Sequence, residues 1–328
     1  MMQAPDRVRV IPLGTSAGRP TLSRAASALA IATEGAWILC DCGEGAQTTA
    51  LRAGLSLSRL DAVLVTHLHG DHFNGLPGLL GTLGLEGRER PIVVVGPPGI
   101  AGLLEALARA GSLGTGGMPV KVIELQGSGA LAWPFGTASV FQVAFHPLVH
   151  RVPTFGYRVS LPDRPGSLDA DAAVAAGVPR GPMLAELKAG RPVDLPSGKR
   201  IDPGPFVGPR RRGPIVAYVL DCVPCEGAVA LGTVADLLVH ESTYEHARAD
   251  LAHERGHTTG VEAARIARDA RCGMLLLTHF SPSVDPEAVA EEARAVHPNV
   301  AAASDLSPIE VGPVESATFG SAATTPAG

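Results

Sequence analysis

The chain reads as an α/β protein, with sheets of short apolar strands covered by helices. Three observations predict this class. Apolar runs of strand length recur along the chain, bounded by Gly, Pro or Asp. Segments with apolar residues at three- and four-residue spacing interleave with those runs. The 328 residues also suffice for a sizeable core, in one large domain or two ordinary ones.

The strands come in order. "VRVIPLG" (8–14), "SALAIAT" (27–33), "AWILCDC" (36–42) and "LDAVLVTH" (60–67) fill the first fifth of the chain. "PIVVVG" (91–96), "VKVIEL" (120–125) and "ASVFQVAF" (138–145) follow, then "FGYRVS" (155–160), "IVAYVLD" (215–221), "ADLLVHE" (235–241) and "MLLLTHF" (274–280). Helical spacing marks "GIAGLLEALARAG" and "TGVEAARIARDA", and "DPEAVAEEARAV" opens with Asp-Pro as cap and first turn. No short repeat interrupts the order.

Composition narrows the function classes. Apolar residues at 45% and charged ones at 18% describe a soluble globular chain, and a net charge of −5 gives no global attraction to nucleic acid. Five cysteines in a chain this long do not make a disulfide framework. The opening "MMQAPDRVRV" lacks the apolar core of a signal peptide, and no apolar run reaches membrane-spanning length. A cytoplasmic, thiol-reducing home with no membrane partner is the expectation. Residues 162–213 break the strand–helix pattern, being rich in Pro, Gly and charge. Between 180 and 212, eight Lys or Arg face three acids, so this segment is either a bland surface insertion or a basic arm for a polyanion. The tail from Ser316, small and polar, is expected to be disordered.

The chemistry concentrates in "VTHLHGDHFNGLPGLL" (65–80). In an extended chain His67 and His69 project to one side. A turn at Gly70 then brings Asp71 and His72 in from the start of a helix. Imidazole and carboxylate suit zinc and neighbouring metals, and four such groups can serve two ions. Further ligands are sought at the C-terminal ends of other strands, where α/β sheets gather functional groups. His279, Asp221 and His150 stand there, with His146 competing with His150.

"THLHGDH" resembles the HxHxDH motif of the metallo-β-lactamase superfamily, and "THLHGDHFNGLPGLL" resembles the ribonuclease Z family of tRNA 3′-processing endonucleases within it. "LGTSAGRPT" (13–21), "CDCGEGAQ" (40–47), "PLVHRVPTFGYRV" (147–159), "HESTY", "GHTTG" and "LTHFSP" agree in content and order, so the resemblance spans roughly 8–283. It implies a four-layer αββα sandwich over residues 1–315, carrying 162–213 as an inserted flexible basic arm. It implies two Zn2+ ions. One is held by His67, His69, His150 and Asp221. The other is held by Asp71, His72, His279 and the same Asp221, with Asp41 orienting a ligand imidazole. The family register favours His150 over His146.

The implied reaction is hydrolysis of a phosphodiester in precursor tRNA, removing the 3′ trailer with a metal-bridging hydroxide as nucleophile. Asp71 binds metal and orients or deprotonates the water, while His257, partnered by Glu241, gives a proton to the leaving 3′-oxygen. A helix-capping role for His257 is the plainer reading. The arm is expected to grip tRNA, and the subunits to pair as a homodimer. A phosphodiesterase or arylsulfatase acting on small esters is the alternative, and a catalytically silent RNA-binding relative stands further off. Leu220 and Cys222 depart from the family pattern beside Asp221. Cys222 and Cys225 form a lone CxxC, read as incidental, and Cys40 and Cys42 are expected to turn away from Asp41 and pack as small hydrophobes.

Overall fold

The computed structural model describes residues 6–133 and 139–313. The expected tail from Ser316 and the first residue of the 138–145 strand lie outside them. The described residues divide into two compact units, one made of Leu161–Gly213 and the other of the rest.

The larger unit holds two seven-stranded sheets among the described residues. The first runs Ile309–Val311, Val8–Gly14, Ala28–Ala32, Trp37–Cys40, Leu60–Leu64, Ile92–Gly96, Val120–Glu124. The second runs Val300–Ala302, Met274–Thr278, Leu237–Glu241, Ile215–Val219, Thr154–Ser160, Gln142–Leu148, Gly129–Ala130. In each sheet four neighbouring strands are parallel, so their C-terminal ends share one edge.

Alternation along the strands explains the layering. Leu39, Val63 and Val94 pack with Leu79, Leu80 and Leu83 of the helix Leu76–Leu85 and with Ile100 and Leu104 of Ile100–Arg109. Their neighbours Ile38, Leu64 and Val95 point to the opposite face and are equally buried. In the second sheet Ala217, Leu238 and Leu275 pack on Ala263, Ala267 and Val289 from the helices Gly260–Asp269 and Pro286–Arg294. Val216, Tyr218 and Leu276 are buried on the other side. Each sheet therefore has helices on one face and the other sheet on the second, giving four αββα layers. Burial on both faces is why the strands read as continuous apolar runs. Cross-sheet bonds knit the layers near the shared edge, with the Tyr157 hydroxyl donating to the Val65 carbonyl at 2.7 Å and the Phe155 amide to Thr66 at 2.9 Å.

Two details differ from the sequence reading. The strand expected over 36–42 stops at Cys40, because Asp41 turns to φ 55°. Leu39 and Cys42 face the helix side, so Cys40 faces the other sheet, and both thiols are buried as small hydrophobes. The helix Leu76–Leu85, "LPGLLGTLGL", was not read as one. Its Leu76, Leu79, Leu80 and Leu83 keep the i, i+3, i+4, i+7 spacing and are buried, but the opposite side carries Gly78, Gly81 and Leu85 with Thr82 its only polar side chain, so the contrast between the faces is weak.

The smaller unit builds the helices Ala170–Ala175 and Pro182–Lys188, plus a hairpin of Val193–Asp194 and Arg200–Ile201. Ala173, Val178, Leu187, Val193, Leu195 and Ile201 form its small core. Three of its arginines pair with acids inside the unit: Arg180 with Asp171, Arg191 with Glu186 and Arg200 with Asp194.

Candidate metal centre

Strand ends deliver the site. His67 and His69 follow Leu60–Leu64, His150 follows Gln142–Leu148, Asp221 follows Ile215–Val219 and His279 follows Met274–Thr278. Asp71 and His72 lie in the short helix Gly70–Phe73, which swings back toward the sheets. Three of the turns are tight. Asp41, Asp221 and His279 adopt φ of 55°, 40° and 57°, the left-handed region that non-glycine residues enter at a cost. The turn after Asp41 also needs Gly43, where an added Cβ would meet the Asp71 carbonyl at 2.3 Å.

Two groups of donor atoms form around one carboxylate. In the first, His67 Nε2 lies 2.9 Å from His69 Nδ1 and 3.6 Å from Asp221 Oδ2. His150 Nε2 stands 3.4 Å from His69 Nδ1 and 3.9 Å from Asp221 Oδ2. In the second, Asp221 Oδ1 faces His72 Nε2 at 3.3 Å and His279 Nε2 at 3.2 Å, and Asp71 Oδ2 faces them at 3.3 and 3.5 Å. Ligands of a tetrahedral ion at ~2.0–2.1 Å stand about 3.3 Å apart, so both spacings are those of a cation cage. His146 takes no part; its Nδ1 turns to the adjacent Pro147 carbonyl.

The outer hydrogen bonds decide which nitrogen faces inward. His150 Nδ1 donates to the Gly256 carbonyl at 2.8 Å, and His72 Nδ1 to Asp41 Oδ2 at 2.7 Å. Thr243 gives its hydroxyl proton to Glu241 Oε2 at 2.6 Å, so it accepts from His279 Nδ1 at 3.0 Å. Thr66 likewise donates to Asp41 and accepts from His67 Nδ1 at 3.0 Å. Each of these four imidazoles therefore turns its Nε2 to the interior. Asp221 Oδ1, buried among them, has no hydrogen-bond donor. Nitrogen and carboxylate oxygen atoms that converge in this way suit a positive ion.

The charges agree. Burial works against protonating His72, but the charge of Asp221 and Asp41 outweighs it and holds this imidazole well above its ordinary pKa. A field that draws a proton to that point draws a cation there too. Burial and three neighbouring imidazoles hold His67 well below its ordinary value. Asp71, despite burial, is held far below the usual carboxylate range by His279 and His72, and it accepts the Gly18 amide at 2.7 Å.

Beside the cage, His257 Nδ1 donates to Glu241 Oε1 at 3.1 Å. Burial lowers this imidazole's pKa, but the Glu241 charge and hydrogen bond, with Asp221, more than offset it and lift it to about 9. His257 is committed through Nδ1 to Glu241, although that atom also lies near Asp221. The capping role belongs to Thr259, whose side chain and Glu262 form a reciprocal capping box for Gly260–Asp269. A cleft of about 300 Å³ opens over Asp71, Asp221, His257 and His279, flanked by Arg151 and Arg255.

The seven expected ligands, with Asp41, Glu241 and His257, thus gather at one edge. The sequence reading missed Thr66, Thr243, Tyr218, the Gly18 amide and the Gly256 carbonyl. The hydroxyls in "VTHLH" and "HEST" were the visible trace of two of them, whereas backbone groups leave no side-chain signal. Asp41 is fully buried and holds His72, Thr66 and, at 3.1 Å, the Tyr218 hydroxyl. Asp41→Asn is expected to weaken metal affinity by roughly 10–100-fold, read by zinc titration with a chelating competitor. Unchanged affinity in the folded variant would contradict the orienting role.

Comparison with known proteins gives the family. Residues 23–154 match the Metallo-beta-lactamase superfamily model. The chain is 43% identical over 311 residues to ribonuclease Z of Salinibacter ruber, covering 94% of this chain and 96% of that protein. It is 41% identical over 315 residues to ribonuclease Z of Synechococcus sp. WH7803, covering 93% and 97%. Human tRNase Z, short form, superposes with a TM-score of 0.64 at 28% identity, covering 92% of this chain and 98% of that one. A metallo-beta-lactamase fold protein of Bacillus subtilis superposes at 0.66 with 21% identity, covering 93% and 100%, a likeness of fold. With a near full-length match at this identity, the chain belongs to the ribonuclease Z family, metal-dependent hydrolases of the metallo-beta-lactamase superfamily.

Proposed function

We propose that the chain is a zinc-dependent endoribonuclease that removes the 3′ trailer of precursor tRNA. The observation that carries this reading is the cage itself, converging imidazole nitrogens and the donor-free Asp221 oxygen, with the Glu241–His257 pair set at its open side. His67, His69, His150 and Asp221 would hold one ion, and Asp71, His72, His279 and Asp221 the other; nitrogen and carboxylate donors in fours suit zinc. When bound, such a pair lowers the pKa of water toward about 7 and neutralises the attacked phosphate.

The chain's own residues supply the rest. Asp71 keeps its carboxylate ionised and orients or deprotonates the attacking water. His257 carries the proton for the leaving 3′-oxygen on Nε2, because Nδ1 is occupied by Glu241. Glu241 is buried, fixes that tautomer through Oε1 and reaches His279 through Thr243, so one carboxylate sets both the acid and a ligand. The Leu161–Gly213 unit is the proposed tRNA grip. Its Lys199 is exposed and Lys188 half-buried, while Arg200 shares its charge with Asp194.

The direct test offers zinc-loaded protein a 3′-extended precursor tRNA and a chromogenic phosphodiester side by side. Cleavage of the tRNA at the trailer junction is expected; hydrolysis of the small ester alone would hand the function to a small-ester phosphodiesterase. His257→Ala should slow tRNA cleavage by roughly 100-fold or more while metal content stays full. Unchanged turnover would remove the general-acid role. Neutralising Lys188, Lys199 and Arg200 together should raise KM for tRNA and flatten its salt dependence, sparing the small diester. Equal losses on both substrates would count against the grip.

A further inference from the structure

The cleft carries two cations that neither the metal cage nor the acid–base pair uses. Arg151 follows the ligand His150, and Arg255 precedes Gly256 and His257, so both sit on backbone already committed to the site. Gly256 joins them. Its carbonyl holds His150, it adopts φ 79°, and a Cβ added there would stand 2.8 Å from His150 Nδ1 and 3.4 Å from Arg151 Cγ. The stem of Arg151 therefore lies against the residue that links Arg255 to His257.

Both guanidinium groups are tethered to neutral acceptors. Arg255 Nη1 donates to the Tyr244 hydroxyl at 3.0 Å, and Arg151 Nη2 to the Glu254 carbonyl at 3.0 Å. Among the described residues neither meets a carboxylate in an ion pair, in contrast to Arg90 with Asp61 or Arg294 with Glu287 and Glu291. A carbonyl or phenol fixes a guanidinium in place without neutralising it, so its remaining N–H groups and full charge stay available to an anion. Tyr244 is itself buried and stacks under Arg248 at 5.0 Å, which makes it a rigid post for Arg255. Both arginines line the same cleft as His257 and remain exposed.

We infer that Arg151 and Arg255 form a phosphate clamp on the leaving-group side of the cleft, gripping the backbone phosphate 5′ to the nucleotide whose 3′-oxygen departs. This rests on the ribonuclease reading above. His257 faces the departing 3′-oxygen, and the next anion along the chain on that side is the 5′-phosphate of the same nucleotide. Charge-assisted bonds from two tethered guanidiniums place that ribose, and hence its 3′-oxygen, against His257. Arg151 and Arg255 are then specificity residues for an RNA chain, since a small diester has no second phosphate to offer. Tyr244 acts on substrate only through Arg255, as a positioning residue.

The test is a cycle between protein and substrate, using 3′-extended precursor tRNA with one neutral methylphosphonate at the phosphate 5′ of the leaving nucleotide. In the wild type the neutral linkage should lower kcat/KM by roughly tenfold or more. In R151A/R255A, tested on the same pair, the neutral linkage should cost less than about twofold, because the partners are already gone. The R255K variant, which keeps a charge but loses the fork, should fall between them. A methylphosphonate one linkage further 5′ should cost the wild type little. Independent, multiplicative effects of the substitutions and the neutral linkage would overturn the clamp, as would a wild type indifferent to the linkage, a result that does not depend on the variants folding. Failure of the wild type to cleave the unmodified precursor at all would instead strike the parent reading.

Discussion

Mutual repulsion of lone pairs is the constraint on which the structure turns. His67, His69, His72, His150 and His279 aim ring nitrogens at one another and at two carboxylates over separations of 2.9 to 3.9 Å. Burying such groups unpaired is costly, and hydrogen bonds among them cannot satisfy all of them. Asp221 shows the problem most sharply, with one oxygen turned to each half of the cage and Oδ1 without a donor. Metal binding would resolve the arrangement. The folding energy of the two sheets holds it open, since strand ends on a common edge, with Asp41, Asp221 and His279 in the left-handed region, leave the ligands little freedom to relax away.

Behind the cage lies a second set of residues that ties its side chains to one another and to His257. Asp41 anchors His72 directly and His67 through Thr66, tying the two halves of the cage to one buried acid. Glu241 does the same between the cage and His257, reaching His279 through Thr243 and His257 without an intermediary. It also receives the Cys222 amide at 2.7 Å, so the residue beside Asp221 acts here through its backbone. That helps to explain how Cys222 can stand where the family pattern differs, because a main-chain donor is indifferent to the side chain.

Much of this was legible in the amino-acid order, for definite reasons. Strands buried on both faces announce themselves as unbroken apolar runs, and most were placed within a few residues. The spacing of His67, His69, Asp71 and His72 is local, so a strand followed by a turn already brings them together. The distant ligands were different. Nothing in "LVHRV" or "VLDCV" says where a side chain ends up, and only the resemblance chose His150 over His146 or selected Asp221. The Ile309–Val311 strand escaped because three residues offer no period to read, and the helix Leu76–Leu85 because glycines and few polar residues leave its leucine spacing little contrast. Backbone contributions from Gly18 and Gly256 were invisible for the same physical reason, since hydrogen bonding by the main chain leaves no residue type behind.

Counting bound metal tests the central claim most directly. Metal-free protein would be titrated with zinc, and the bound ions quantified by elemental analysis after removal of excess, for the wild type and for Asp221→Ala with folding checked by circular dichroism. Two ions per wild-type chain, and fewer than one once the shared carboxylate is gone, is the result expected of a cage built around Asp221. A folded wild type that retains no zinc, or a variant that still holds two, would contradict it.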